Sequence, residues 1–283
     1  RPKTSNPTTT HNCYTMATIE EIKKLREMTG AGLGDCKKAL IEANDNMEEA
    51  IEIIRKRGQA VAAKRSDREA SEGCVLCKVD NGFGAIIALK CETDFVAKNA
   101  DFVKLTQAIL DEAVAHKCKT LDEVKALPMG NGTVADAITD RSGITGEKME
   151  LDGYSFIESE NISCYNHQNK NFLCTMVALN KAVDEKYGHA VAMQIAAMNP
   201  ISISEKDVPE DVRKREYEIA ADKAREEGKP ENMIERIAEG RMKQCLLDQE
   251  FIQDSNLSVA AYLKGADKEC TVTDFKRFSL RAE

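Results

Sequence analysis

The chain has no tryptophan, and aromatic residues make up only 5% of its 283 positions. That scarcity disfavours a β-sandwich cored by large rings and favours helices. Histidine is sparse too: His11, His116, His167 and His189 are the full set, and none lies beside a Cys or Ser in a nucleophile pattern. Neither G-x-x-x-x-G-K-S/T nor a G-x-G-x-x-G following a strand occurs, so no nucleotide pocket of its own is expected. Gly30-Ala31-Gly32-Leu33-Gly34 is glycine-rich, yet it joins two helical patterns with no strand before it and reads as a turn. No apolar run approaches the ~20 residues of a membrane span. Basic runs with interleaved aromatics are also missing. With 40 Lys and Arg against 48 Asp and Glu, the formal charge is −8, which opposes non-specific nucleic-acid binding, since that depends on neutralising phosphates. No direct nucleic-acid or membrane partner is expected.

Cysteine is plentiful, at ten residues, but its setting is not that of a disulfide framework. Cys36, Cys91, Cys118, Cys174, Cys245 and Cys270 sit singly inside apolar patterns, where Cys behaves as a small hydrophobe. The one C-x-x-C, Cys74 to Cys77, lies in a strand-like run, which would send the two thiols to opposite faces. No second C-x-x-C or H-x-x-x-H completes a zinc site, so neither metal nor cofactor is expected. This usage fits a reducing cytoplasm. Residues 1–15 are polar and lack the apolar core of a signal peptide; with Met16 read as the initiator, they form an appended or disordered leader outside the fold.

What is present is a series of changes in period. From residue 16 to 58, three short helices are predicted, each with one apolar stripe. The first carries Ile19, Ile22 and Leu25 and stops at Thr29-Gly30; the second carries Leu33, Cys36, Leu40 and Ala43. Asn46, with Glu49 three residues on, caps the third, and Gly58 is read as the residue just past its end. Residues 59–72 are densely charged and read as a solvated linker. The period then drops to 2: Cys74–Val79 and Gly84–Cys91 form a hairpin around Asp80-Asn81-Gly82. Helical spacing returns with Phe102, Leu105, Ile109 and Ala113, then near Leu121–Leu127 and Val134–Ile138. The arrangement recurs with strands Ile162–Tyr165 and Phe172–Leu179 and a helix Gly188–Met198, which suggests an internal duplication. Glu210–Glu227 and Glu231–Gln253 read as two long polar helices joined at Gly228-Lys229-Pro230, each with a narrow seam, hence an exposed antiparallel hairpin. A short helix, Val259–Leu263, and a strand, Cys270–Leu280, close the chain.

The fold class is therefore α+β. It comprises a three-helix module, residues 16–58; a core of two related hairpin-plus-helix halves with antiparallel sheets, residues 73–147 and then 148–208 with 255–283; and a protruding helical hairpin, residues 209–254. The segment with the most chemistry is Thr93-Asp94-Phe95-Val96-Ala97-Lys98-Asn99, where a carboxylate, a large ring and an amine follow a buried strand directly. Spacing alone puts Phe95 in the core, with Asp94 capping a turn.

The string Thr93 to Asn99 resembles the signature of the elongation factor Ts family, and Leu25 to Leu40 resembles that family's ubiquitin-associated-type module. Gly73–Cys91, Met193–Pro200 and Glu239–Lys243 match as well, in family order, over nearly the whole chain. The resemblance implies a guanine-nucleotide exchange factor, not an enzyme, that binds the translational GTPase elongation factor Tu. It implies that the module, at Met28, Gly30, Gly32 and Leu33, contacts the GTPase domain, and that the core grips that domain and its neighbour. It also implies that Thr93, Asp94, Phe95, Val96, Ala97, Lys98 and Asn99 bind the partner, with Asp94 and Phe95 entering near the magnesium and phosphate elements, and that the helix holding Gln194, itself a partner-binding position, approaches from the other half. Relatives commonly carry histidine where Gln194 stands, and some continue beyond Glu283 into a further helix. Two other readings come from different classes. One is a helix-binding adaptor without exchange activity, for which Asp94 and Phe95 would be dispensable. The other is a thiol enzyme using Cys74 or Cys77, which requires a depressed thiol pKa.

Overall fold

Thr18 opens the first helix with a capping box: its hydroxyl accepts from the Glu21 amide, and the Glu21 carboxylate answers the Thr18 amide at 2.8 Å. That helix, α1 (Ile19–Thr29), ends where Gly30 turns left-handed at φ 71°. Helices α2 (Leu33–Glu42) and α3 (Met47–Lys64) follow, the latter capped by Asn46 at 3.1 Å from the Glu49 amide. Leu25, Cys36, Ala39, Leu40 and Ala50 make the small core of this module. The computed structural model describes residues 17–281; the expectations for the leader and for Met16 lie outside the described residues.

One expectation is corrected here. Gly58 does not end α3: the helix runs on to Lys64, taking in the start of the stretch read as a linker, and Gly58 is buried. It is small because α7 (Val134–Thr145) crosses there, with Gly143 against the Gly58 backbone. A Cβ on Gly143 would overlap the Gly58 Cα. Gly143→Ala is therefore expected to lower stability by about 1–3 kcal/mol, the usual cost of overpacking, and thermal denaturation checks it. An unchanged midpoint would mean that the two helices separate freely.

The chain divides into two compact units: the stretch up to Asp67 with Thr139–Glu147, and Arg68–Ile138 with Lys148 onward. In the larger one, β1 (Glu72–Asp80) and β2 (Phe83–Cys91) form a tight hairpin. Its loop, Asn81-Gly82, has φ 46° and 72°, the positive pair that a two-residue turn between twisted strands demands. After α4 (Asp94–Ala97), α5 (Ala100–Ala115) and α6 (Leu121–Ala126), the two-residue strands β3 (Pro128–Met129) and β4 (Gly132–Thr133) pair just ahead of α7. Next comes β5 (Glu150–Glu158), which was not foreseen and pairs antiparallel with β2. The second half, expected to start at residue 148, thus begins on a strand that completes the first sheet.

The second sheet repeats the plan. A hairpin of β6 (Ile162–Asn166) and β7 (Leu173–Leu179) is followed by α8 (Glu185–Met198), and the later β10 (Val272–Ser279) pairs with β7 as β5 does with β2. Alternation along the strands then builds the layers. Cys74, Phe83, Ile87 and Leu89 face the apolar side of α5, with Phe102, Ile109 and Leu110. Val75, Ile86 and Ala88 face the other way, onto Cys174, Met176 and Ala178 of the second sheet. Val177 and Leu179 meet Val191 and Ile195 of α8. β7 is buried along its whole length because both its faces are covered.

Between α8 and β10, α9 (Glu210–Glu226) and α10 (Glu231–Gln244) pack against each other through Ala220, Ala221, Ala224, Ile234 and Ala238, a core of their own. Short side chains let two otherwise polar helices approach closely. α10 stops at Gln244, short of the expected Gln253, because Leu246 bridges to Ser202 and the Leu247 amide donates to the Ser202 carbonyl. The chain then makes a small hairpin, β8 (Glu250–Phe251) with β9 (Asp254–Ser258), before α11 (Val259–Lys264).

Candidate partner-binding site

The turn after β2 is built by consecutive caps. Thr93 leaves the strand in an extended conformation (φ −123°, ψ 153°), and its hydroxyl accepts from the Val96 amide at 3.4 Å, opening α4. The cap is thus Thr93, not Asp94. Lys98 closes the four-residue helix, and Asn99 immediately caps α5, accepting from the Asp101 amide at 2.9 Å and the Phe102 amide at 3.3 Å. Two caps separated by one turn leave little backbone freedom. Ala97 is buried and Val96 packs on the core, which aims the opposite face outward.

Phe95 occupies that outward face and is 84% exposed, which overturns the core placement that spacing suggested. An aromatic ring so exposed on an ordered helix is the kind of surface feature that marks recognition. Beside it, the Lys98 ammonium bonds the Asp94 carboxylate at 2.6 Å. That bond holds the Asp94 carboxyl below its ordinary range and raises Lys98, so both are charged at neutral pH. A groove of about 730 Å³ flanks the turn, lined by Asp94, Lys98, Val103, Phe172 and Arg281 among others. Arg281 lies over the Phe172 ring, 4.1 Å from its centroid.

The other expected positions divide. Met28 and Leu33 are 55% and 47% exposed, on either side of the Gly30–Gly32 connection, whose Ala31 is buried. Left-handed Gly30 and extended Gly32 (φ −63°, ψ 148°) let the chain turn between two helices while both apolar side chains stay outside. Gln194 is different. It has no exposed surface: its Nε2 donates to the Glu250 carbonyl and its Oε1 accepts from the Ile252 amide, both at 3.0 Å. This side chain was expected to meet a partner; here both of its polar atoms are used in tying α8 to the β8–β9 hairpin.

Thiol chemistry finds no support. Cys74 and Cys77 do sit on opposite faces of β1, one in each core cluster. Burial pushes the Cys74 thiol up to about 11, and the Cys77 thiol, beside Cys164 and Cys174, also lies above its ordinary value. Such thiols are poor nucleophiles. Among the described residues no His/Cys/Asp/Glu group could hold a metal, and no helix is long and apolar enough to cross a membrane.

The sequence model of the family described as Elongation factor TS matches residues 92–282. Relatives named Elongation factor Ts are 52% identical in Bacteroides fragilis and 54% in Phocaeicola vulgatus, in each case over 94% of this chain and 99% of the relative. A Porphyromonas gingivalis relative of the same name is 52% identical with the same coverage. The chain belongs to the elongation factor Ts family. Membership makes it a translation factor of protein biosynthesis with nucleotide-exchange function, not a catalyst of covalent chemistry, and implies elongation factor Tu as its binding partner. The elongation factor Ts match begins at Glu92, directly before the capped turn. Glu92 was not singled out in the sequence, although a carboxylate directly after a largely apolar strand is a signal that could have been read.

Proposed function

We propose that the chain binds elongation factor Tu and sets the Asp94–Phe95 turn against the magnesium- and phosphate-binding elements of the GTPase, so that GDP leaves. The observation that carries this reading is Phe95, 84% exposed on a helix capped at both ends. Bound GDP is held by its cation and by backbone amides around the phosphates. A rigid ring that displaces those elements weakens nucleotide and metal together, and the adjacent carboxylate competes for the elements that hold the metal. Linkage makes the effect reciprocal: GDP weakens the factor's binding by the ratio in which the factor weakens GDP's. The factor speeds exchange in both directions, and the ratio of GTP to GDP decides the net outcome.

In this reading Met28 and Leu33 dock the module on the GTPase domain, the two core halves hold that domain and its neighbour, and the helical hairpin is an accessory contact. The test is release of a fluorescent GDP from elongation factor Tu with catalytic amounts of the chain. Strong acceleration supports exchange; a folded chain that binds without accelerating release supports the adaptor reading instead. The module has its own expected result. Met28→Ala with Leu33→Ala should raise the half-saturating concentration about tenfold at an unchanged maximal rate, as loss of two apolar contacts implies. A fall in maximal rate instead would put the module at the nucleotide.

A further inference from the structure

Phe95 inherits its position. A four-residue helix cannot hold its own direction, since helix nucleation is unfavourable at that length, so the anchors of its backbone decide where the ring points. One anchor is the buried Ala97; the other is the end of β2. The ladders of the first sheet finish there, with Cys91 opposite Glu72 of β1 and Lys90 opposite Glu150 of β5. Past those pairs the strands have no register partner, and a side chain takes over.

That side chain is Glu92. Its Oε1 accepts from the Lys148 amide at 2.7 Å, just ahead of β5, and its Oε2 pairs with Arg68 Nη1 at 3.2 Å, just ahead of β1. Arg68 and Lys148 are also the first residues of the two segments that make up the larger compact unit. A single carboxylate thus fastens both flanking strands to the residue from which the Phe95 turn departs. The Glu92 side chain is 14% exposed, whereas that of Arg68 is 58% exposed. The amide bond, charged and shielded, is the stronger of the two contacts, and the half-solvated ion pair is the weaker.

We propose that Glu92 is a positioning residue for exchange, fixing the direction in which the Asp94–Phe95 turn leaves the sheet. The proposal rests on the reading of Phe95 given above, and the experiment separates the two. Stimulated GDP release from elongation factor Tu is measured as a maximal rate and a half-saturating concentration for the parent, Glu92→Ala, Glu92→Gln, Phe95→Ala and the Glu92→Ala/Phe95→Ala pair. Glu92→Ala should lower the maximal rate about tenfold, the scale of one charged hydrogen bond, and move the half-saturating concentration less than about twofold. Glu92→Gln keeps an oxygen for the Lys148 amide and should recover most of the rate. In the pair, loss of Glu92 should add nothing to loss of Phe95, because both act through one ring. Additive losses, an unchanged Glu92→Ala rate, or a Glu92→Gln as impaired as Glu92→Ala each overturn the role assigned to Glu92. A Phe95→Ala as active as the parent overturns the underlying reading, and Glu92's role with it.

Discussion

Phe95→Ala should lower stimulated release of GDP from elongation factor Tu by roughly 30- to 1000-fold while leaving the thermal midpoint within about 2 °C of the parent. The two halves of this result have separate physical sources. In the free chain the ring is 84% exposed, so removing it takes almost nothing from the core, and surface changes of that kind cost about 0.5 kcal/mol or less. In the complex the same ring becomes a buried anchor, and truncating an aromatic anchor costs about 2–4 kcal/mol, with each 1.4 kcal/mol worth a factor of ten. The backbone is unaffected, because Thr93 and Asn99 hold α4 and α5 through their own side chains. Calorimetry and a fluorescent-GDP assay on the same preparation check both halves. A midpoint lowered by 10 °C or so would make Phe95 part of the fold, and the wedge reading would fail.

The second large effect is on stability. Gln194→Ala should cost about 3–5 kcal/mol, because it strands the Glu250 carbonyl and the Ile252 amide in a site with no exposed side-chain surface, at about 1–3 kcal/mol per unsatisfied group plus a cavity. For a chain of this size that corresponds to a midpoint lower by roughly 10 °C. Well below that midpoint the maximal release rate should stay within about threefold of the parent, the change expected when a residue supports the fold without touching the partner. An unchanged midpoint with a large loss of exchange would restore direct contact. Gln194→Glu should be nearly as costly: the carboxylate keeps an acceptor for Ile252 but sets a charge against the Glu250 carbonyl.

Much of this was legible wherever local chemistry decides local structure. Asn81-Gly82 could only be a two-residue hairpin turn, and Asn46, Thr18 and Asn99 cap where capping residues belong. The repeated order of hairpin and helix was visible too, and the two sheets follow it. The misses share a cause, which is that the deciding partner is far away in sequence. Gly58 looks like a helix stop, and only Gly143 across the contact explains why a glycine continues the helix. β5 carries Gly153 in its middle, which weakens the strand pattern; the glycine is there because a Cβ would lie 2.7 Å from Ala88 Cβ and 2.6 Å from the Phe278 ring. The end of α10 has no Gly or Pro to announce it and is imposed by the Ser202–Leu246 bridge. For the site, the motif was readable but the exposure of Phe95 was not, since an aromatic after a buried strand packs inward by default. Gln194 could have been placed better: it follows Ala190 and Val191 by four and three residues, on the stripe that also carries Ile195, so its own helix assigns it to the interior.

The smaller unit is assembled from two stretches of chain, the stretch up to Asp67 and Thr139–Glu147, with Gly58 packed under Gly143. A ribosome therefore delivers α1, α2 and α3 well before it delivers the segment that covers them, and in that interval β1, β2 and α5 emerge in between. These three helices are thus made before the first sheet yet finished only after α7 has emerged. Nascent chains stalled before residue 139, and fragments cut there, leave the Gly58 side of α3 bare. Such species should be the first to be held by chaperones or trimmed by proteases, although the mature chain protects the same helix.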